Sequence, residues 1–77
     1  MLKYEDFKVG QVWKNNDSCL YKVLEIQPFT EESKCIKTIS VEGWDEGEQE
    51  SFFHNGSYAG AGSVGYFDLV ELIEDII

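Results

Sequence analysis

Basic residues are scarce in this sequence, and the scarcity restricts the partners that the chain can bind. Lys and Arg together number 6 against 15 Asp and Glu in 77 residues, and the formal net charge is -9 at pH 7. Affinity for DNA or RNA depends on basic side chains that neutralise phosphates, and attraction to an anionic membrane surface depends on them too. We therefore expect neither nucleic acid nor a membrane as a direct partner.

Long apolar runs and a signal-peptide pattern are absent as well. No run approaches the roughly 20 residues that a membrane-spanning helix needs, and residues 1–6 lack a basic start followed by an apolar stretch. These absences predict a soluble, cytoplasmic protein. Because 43% of the residues are hydrophobic and eleven are aromatic, a disordered chain is not expected, and we predict one folded domain over residues 1–77.

Cysteine and histidine are too few for a recognisable catalytic or metal-binding set. Cys19 and Cys35 stand sixteen positions apart, which fits neither a Cys-x-x-Cys pair nor a zinc finger. We predict free thiols that pack as small apolar side chains, with a disulfide as the alternative. His54 would need a carboxylate or a thiol brought to it by folding, and nothing local orients it. We predict no enzymatic activity and no cofactor.

Turn-forming residues divide the chain into short segments that favour β-strands. Strand candidates at 7–14, 19–26, 34–41 and about 49–54 are separated by turn-forming segments such as 15–18 and 43–47. In the second candidate, Tyr21 and Val23 share one face while Leu24 and Ile26 share the other. A bulge near Leu24 or burial of both faces would reconcile this pattern.

For the third strand candidate the question is which face is buried, and for the last segment it is whether the apolar residues follow a helical or a strand period. In the third, the pattern places Cys35, Ile39 and Val41 on the buried face and leaves Thr38 and Ser40 on the other. Residues 68–77 fit either a helix with one apolar stripe or a strand followed by a tail. We favour a strand through about residue 73, with a short helical tail as the alternative.

Strands spaced in this way predict a mainly β fold, a small five-stranded antiparallel barrel or sandwich. The predicted core consists of Val12, Trp13, Tyr21, Val23, Ile26, Ile39, Val41, Phe52, Leu69 and Leu72.

Two motifs suggest ligand binding until their context is considered. Gly60, Gly62 and Gly65 match the spacing of a dinucleotide-binding turn, but that turn needs a βαβ unit of about 30 residues and the sequence continues for only twelve more. The acidic residues at 45, 46, 48 and 50 supply oxygen ligands for calcium, but the spacing of a calcium-binding loop is absent. We predict a loop and a solvated acidic turn.

Aromatic residues near the predicted turns are the remaining functional signal. Small barrels bind peptides in grooves lined by such side chains, and carboxylates on a rigid fold can imitate the phosphates of a DNA duplex. The predicted partner-binding residues are Trp44, Asp45, Glu46, Glu48, Glu50, Phe53, Tyr58 and Tyr66.

Three segments resemble a known group of proteins. DFKVGQVW at 6–13, YKVL at 21–24 and FDLVEL at 67–72 resemble small bacteriophage and prophage proteins of unknown function that are thought to adopt SH3-like barrels. The resemblance implies an SH3-like barrel with FDLVEL in its last strand. It supplies no catalytic residues, and the stretch at 56–65 looks specific to this sequence.

The resemblance and the charge together predict a small phage-type accessory protein of the host cytoplasm that binds and inhibits a host protein. In its sharpest form the protein mimics DNA and occupies the groove of a nucleic-acid-binding partner. A virion or self-assembling component is the alternative, a homo-oligomer in which Ile73, Ile76 and Ile77 form the subunit contact.

Overall fold

The computed structural model describes residues 2–58 and 68–76, and within them five β-strands form one antiparallel sheet. A single-turn 3₁₀ helix at Tyr4–Asp6 precedes β1 (Val12–Asn15), β2 (Leu20–Ile26), β3 (Ile36–Glu42), β4 (Gln49–Phe52) and β5 (Leu69–Glu74). The order across the sheet is β4-β3-β2-β1-β5. The prediction of a mainly β antiparallel fold is confirmed. The predicted barrel is not closed, because β4 and β5 do not pair within the described residues.

No helix among the described residues is long and apolar enough to cross a membrane.

The predicted turn at 15–18 joins β1 to β2 and is organised by one buried side chain. The Asn15 side-chain oxygen Oδ1 accepts hydrogen bonds from the backbone N–H groups of Asp17, at 2.9 Å, and Cys19, at 2.8 Å. An asparagine that satisfies backbone donors two and four residues later holds the chain in a tight reversal. This turn places Asp17 at the end of the sheet where β3 also ends, since Leu20 pairs with Glu42.

A β-bulge in β2 resolves the mixed face pattern of that strand. Val23 pairs with Thr38 and Glu25 pairs with Lys37, so Leu24 is the extra residue between them. Tyr21 and Val23 consequently point into the core while Leu24 is exposed. Of the two explanations open from sequence, the bulge is confirmed.

The predicted buried face of β3 is wrong. Ile36, Thr38 and Ser40 are buried, whereas Ile39 is half-buried and Val41 is 41% exposed. The hydroxyls tolerate burial because both are satisfied. Thr38 Oγ1 donates to the backbone carbonyl of residue 50 at 2.9 Å, and Ser40 Oγ donates to the carboxylate of residue 45 at 2.8 Å.

Two irregularities shape β5 and explain why its sequence also resembles a helix. In the pairing with β1, Val70 and Ile73 are the extra residues at two register shifts. The shift at Val70 lets Leu69 and Leu72, three positions apart, lie opposite residues of β1 that face the core. The predicted strand is confirmed, and the alternative of a helical tail is wrong for residues 68–76.

The core differs from the predicted set at its margins. Leu72, predicted as core, is 37% exposed because β5 is an edge strand within the described residues, and Ile26 is half-buried. Phe7 and Ile36 are buried and were not predicted. The buried hydrophobic side chains are Phe7, Val12, Trp13, Cys19, Tyr21, Val23, Cys35, Ile36, Phe52 and Leu69. Both cysteines are free thiols, as predicted.

Candidate functional site

The turn between β3 and β4 carries the acidic and aromatic residues that the sequence singled out. Gly43 and Gly47 bound it with φ values of +129° and +91°, a region of backbone conformation that favours glycine. The Gly47 N–H donates to the Ser40 carbonyl at 2.9 Å, and the Ser40 N–H donates to the Glu48 carbonyl at 2.9 Å. This geometry buries Asp45 and leaves its neighbour in the turn, residue 44, exposed.

Asp45 is a buried carboxylate held by hydroxyl groups. Only 4% of the residue is exposed. Its Oδ2 accepts a hydrogen bond from the Tyr21 hydroxyl at 2.5 Å, and its Oδ1 accepts one from Ser40 Oγ at 2.8 Å. Within residues 2–58 and 68–76 the only ion pair is Lys14 with Glu71, so no lysine neutralises Asp45 there. Among the described residues, hydrogen bonds from these two hydroxyls compensate for removing the carboxylate from water.

Trp44 is a large aromatic side chain that is exposed and yet fixed. It is 69% exposed. Its indole N–H donates to Asp17 Oδ2 at 3.1 Å, which ties the β3–β4 turn to the β1–β2 turn. A tryptophan held in one orientation loses less conformational freedom when a partner contacts it.

Trp44 lines a small cavity together with four other residues. Its volume is about 40 Å³, and we call it the Trp44 cavity. Beside it, the Tyr58 ring packs on Phe52 with centroids 5.6 Å apart, and Lys34 Nζ lies 5.3 Å from the Tyr58 centroid. The Trp44 cavity is lined by three aromatic side chains and two carboxylates: Tyr21, Trp44, Tyr58, Asp45 and Glu50.

Carboxylates cluster at one side of the Trp44 cavity. One oxygen from each of Asp45, Glu48 and Glu50 can be chosen so that all three lie within 4.8 Å of one another. Calcium takes 6–8 oxygen ligands, whereas this cluster offers the oxygens of only three side chains. One of the three, Asp45, already accepts two hydrogen bonds. The cluster therefore fits a calcium ion poorly.

Burial beside these carboxylates makes three protons harder to remove. The pKa of Tyr21 is raised, first by burial and then by its hydrogen bond to Asp45. The pKa of Tyr58 is raised by burial and by a hydrogen bond to Glu50. The pKa of Cys19 is raised by burial and by the charge of Asp45. In each case the neutral form is favoured in the folded protein.

These raised pKa values predict a loss of stability in alkaline solution. The ordinary pKa values are 9.0 for cysteine and 10.0 for tyrosine. Above them the unfolded chain releases protons that the folded protein retains, so the stabilisation is complete below about pH 9 and is lost as pH rises. Each linked proton changes the free energy of unfolding by about 1.4 kcal/mol per pH unit.

Urea unfolding between pH 8 and 11 measures this dependence. Tyr21→Phe should lower stability at pH 8, because a hydroxyl bonded to Asp45 is lost, and should also flatten the decline above pH 10. Equal slopes for the two proteins would contradict the assignment to Tyr21.

The structure brings together half of the predicted partner-binding residues. Four of the eight, Trp44, Asp45, Glu50 and Tyr58, line the Trp44 cavity. Glu48 belongs to the adjoining carboxylate cluster, and Glu46 is exposed on the same turn. Phe53 is half-buried and does not line the cavity. Tyr66 lies outside the described residues, as do residues 60–65 of the glycine motif.

Tyr21 is the cavity residue that the sequence analysis assigned only to the core. Its strand position indicated that the ring is buried, and this is correct. Nothing in the sequence indicated that its hydroxyl meets an aspartate 24 positions away.

The residues considered for nucleophilic catalysis form no hydrogen-bonded set within the described part of the chain. His54 is half-buried and packs against the Phe29 ring with centroids 4.9 Å apart. Among the described residues it forms no hydrogen bond with Cys19 or Cys35, and both thiols are buried.

Comparisons of the chain with protein-family profiles, with curated proteins and with solved structures found no match.

Proposed function

We propose that the chain is a protein-binding protein that recognises a positively charged segment of its partner through the Trp44 surface. We define this surface as Trp44, Glu46 and Glu48 together with the Trp44 cavity. The observation that supports the proposal most strongly is the exposed indole held in place by Asp17. Tryptophan is enriched among the few residues that supply most of the energy of protein interfaces.

The charge around Trp44 supports a basic partner. Residues 42–50 contain five carboxylates and no lysine. Complementary charge across an interface steers association and rejects partners of the same sign. A basic segment that covers Trp44 would therefore meet the carboxylates of this turn.

The resemblance to phage proteins extends this proposal to a host partner. We infer that the partner is a host protein of the cytoplasm and that binding inhibits it. The net charge of -9 supports the more specific version, in which the carboxylates occupy a surface that otherwise binds nucleic-acid phosphates. That version predicts competition between this protein and a DNA duplex for the same partner.

Replacing Trp44 by alanine tests the proposed surface. The tagged protein is first used to isolate a partner from lysate of the source organism and of its host, and the affinity is then measured with purified components. We expect Trp44→Ala to weaken binding about 30-fold or more, as for a residue that contributes about 2 kcal/mol. Binding should also weaken as salt rises from 0.1 to 0.5 M, because exposed charge pairs are screened.

Phe29→Ala is the matched control for Trp44→Ala. Phe29 is an aromatic residue that is 53% exposed, and it follows β2 at the end of the sheet opposite to Trp44. It should change the affinity less than threefold. The proposal is wrong if the two variants weaken binding equally, or if Trp44→Ala binds the partner as the parent protein does.

Self-assembly is a second candidate function, and the outer edge of β5 favours it. Within the described residues no strand pairs with this edge, and Val70, Leu72, Ile73 and Ile76 are exposed along β5 and just beyond it. An apolar strand with unpaired backbone groups is a site where a second strand can add. Ile77, the third residue of the predicted subunit contact, lies outside the described residues.

Sizing chromatography with light scattering tests this candidate. Oligomers that grow with protein concentration should disappear in Ile73→Lys, since a lysine on an edge strand opposes strand pairing. Val41→Lys is the control at an exposed apolar position on β3, which does not neighbour β5, and should leave the oligomers unchanged. A parent protein that is monomeric up to millimolar concentration would eliminate self-assembly as the function.

A further inference from the structure

The Trp44 cavity combines two chemical features that suit an organic cation. Three aromatic rings line it, and an aromatic ring attracts a cation, as Tyr58 does with Lys34 Nζ 5.3 Å from its centroid. Two carboxylates, Asp45 and Glu50, complete the lining. A hard metal ion would use only the oxygens and would gain little from the rings. A neutral apolar group would use only the rings and would remove the carboxylates from water without compensation.

The charge balance inside the cavity points the same way. Asp45 is buried, accepts hydrogen bonds from two neutral hydroxyls, and forms no ion pair with a lysine among the described residues. Oxygens of Glu48 and Glu50 lie within 4.8 Å of it. Each carboxylate oxygen has two lone pairs and can still accept a hydrogen bond from a further donor. A bound cation with N–H groups would satisfy these sites and offset the repulsion among the three carboxylates.

The size of the cavity limits what can enter. A water molecule needs roughly 10–15 Å³ measured in the same way, so about 40 Å³ accommodates the end of one side chain and excludes a nucleotide or a sugar. A primary ammonium on an unbranched alkyl chain fits these limits. Its N–H groups can reach the carboxylates while its methylenes lie against the rings.

We infer that the Trp44 cavity binds an alkylammonium group, and that its source is a lysine side chain of the partner protein. The choice of a protein source rests on the proposed function, because Glu46 and Glu48 are exposed on the same turn as Trp44 and offer further contact surface. A free aliphatic amine shares the same chemistry and would use the cavity without that surface.

The first experiment titrates the isotopically labelled protein with n-butylammonium and follows the two tryptophan indole N–H signals by NMR. The Trp13 indole is buried and donates to Gln11 Oε1 at 2.9 Å, so it serves as an internal reference. We expect a saturable shift at Trp44 with a dissociation constant on the order of millimolar, and no shift at Trp13. Neutral n-pentanol and tetramethylammonium, which has no N–H group, should each bind at least tenfold more weakly.

Two substitutions assign the binding to the cavity. Trp44→Leu keeps an apolar side chain without a ring and should weaken n-butylammonium binding at least tenfold, whereas Trp44→Phe should stay within threefold of the parent. Glu50→Gln should weaken it at least fivefold while the remaining NMR signals show an intact fold. The inference is overturned if n-pentanol matches n-butylammonium, if Trp13 shifts equally, or if calcium displaces the amine at a lower concentration.

A second pair of ligands identifies the source of the ammonium group. A short peptide with one central lysine between alanines should bind at least tenfold more tightly than the same peptide with norleucine, and also more tightly than n-butylammonium. Equal affinity of peptide and free amine would overturn the protein source. If partner binding depends on Trp44 but n-butylammonium does not shift the Trp44 indole signal, the inference about the cavity is refuted and the proposed function stands. If n-butylammonium shifts the Trp44 indole signal but Trp44→Ala leaves partner affinity unchanged, the proposed function is refuted.

Discussion

Asp45→Ala should lower the free energy of unfolding by about 2–4 kcal/mol at pH 7. The substitution leaves the hydroxyls of Tyr21 and Ser40 buried without their acceptor, and each such group costs about 1–3 kcal/mol. Relief of repulsion with Glu48 and Glu50 offsets part of this loss. At 4–5 Å and high dielectric that repulsion is about 1 kcal/mol per pair and is weakened by salt. The unsatisfied hydroxyls therefore outweigh it.

Urea unfolding followed by far-UV circular dichroism measures the effect of Asp45→Ala. Glu48→Ala is the control, because it removes a carboxylate of the same cluster from an exposed position. It should change stability by less than about 0.5 kcal/mol. If Asp45→Ala is as stable as Glu48→Ala, the hydrogen bonds from Tyr21 and Ser40 to Asp45 do not stabilise the turn, and they do not fix the lining of the cavity.

Gly43→Ala should be destabilising by about 3 kcal/mol or more. Its φ of +129° is a conformation that alanine adopts only with strain of about 1–3 kcal/mol. An added Cβ would also lie 2.6 Å from Cys19 Sγ and 3.2 Å from Cys19 Cα, so the two turns at this end of the sheet would have to separate. Overpacking of this kind costs a further 1–3 kcal/mol, roughly.

Gly47→Ala separates the backbone strain of a positive φ from the steric overlap of an added Cβ with Cys19. Gly47 has a φ of +91°, but nothing lies within 4 Å of an added Cβ. Its loss of stability should therefore be smaller than that of Gly43→Ala by at least about 1 kcal/mol. Thermal unfolding of both variants beside the parent decides this. Equal losses would mean that Cys19 moves away at no cost.

Local chemistry was sufficient to predict the strands and turns. A reversal within a few residues is encoded by the turn-forming cluster at 15–18 and by the glycines at 43 and 47. The mixed faces around Leu24 left a bulge or burial of both faces open, and the pairing with β3 decides for the bulge. The last strand was also predicted, although Leu69 and Leu72 have a spacing that suits a helix equally well. Only the pairing with β1 shows that an extra residue at Val70 produces this spacing.

The buried face of β3 could not be predicted from that strand alone. Apolar alternation favoured Ile39 and Val41 over Thr38 and Ser40, and the structure reverses this choice. The buried face depends on other segments of the chain. The hydroxyl of Ser40 needs Asp45 as its acceptor, and that of Thr38 needs a carbonyl of β4. Alternation reports hydrophobicity and carries no information about acceptors on other segments.

The candidate site was predictable in part for the same reason. A tryptophan between glycines in an acidic turn is visible in the sequence, but its exposure is not. The cavity also needs Tyr21 from the middle of β2 and Tyr58 from the segment after β4, and the fold alone brings these rings to the turn.

The position of β1 in the sheet has a consequence for synthesis on the ribosome. β1 to β4 follow one another as neighbours, so each pairs as soon as the next strand emerges, but the second neighbour of β1 is β5. Until Leu69–Glu74 has left the exit tunnel, one edge of an early strand stays open beside Trp13. Chains that stall before this point would present an unpaired strand to one another, and such edges promote aggregation. Prematurely terminated products should therefore be removed by proteases faster than the finished protein.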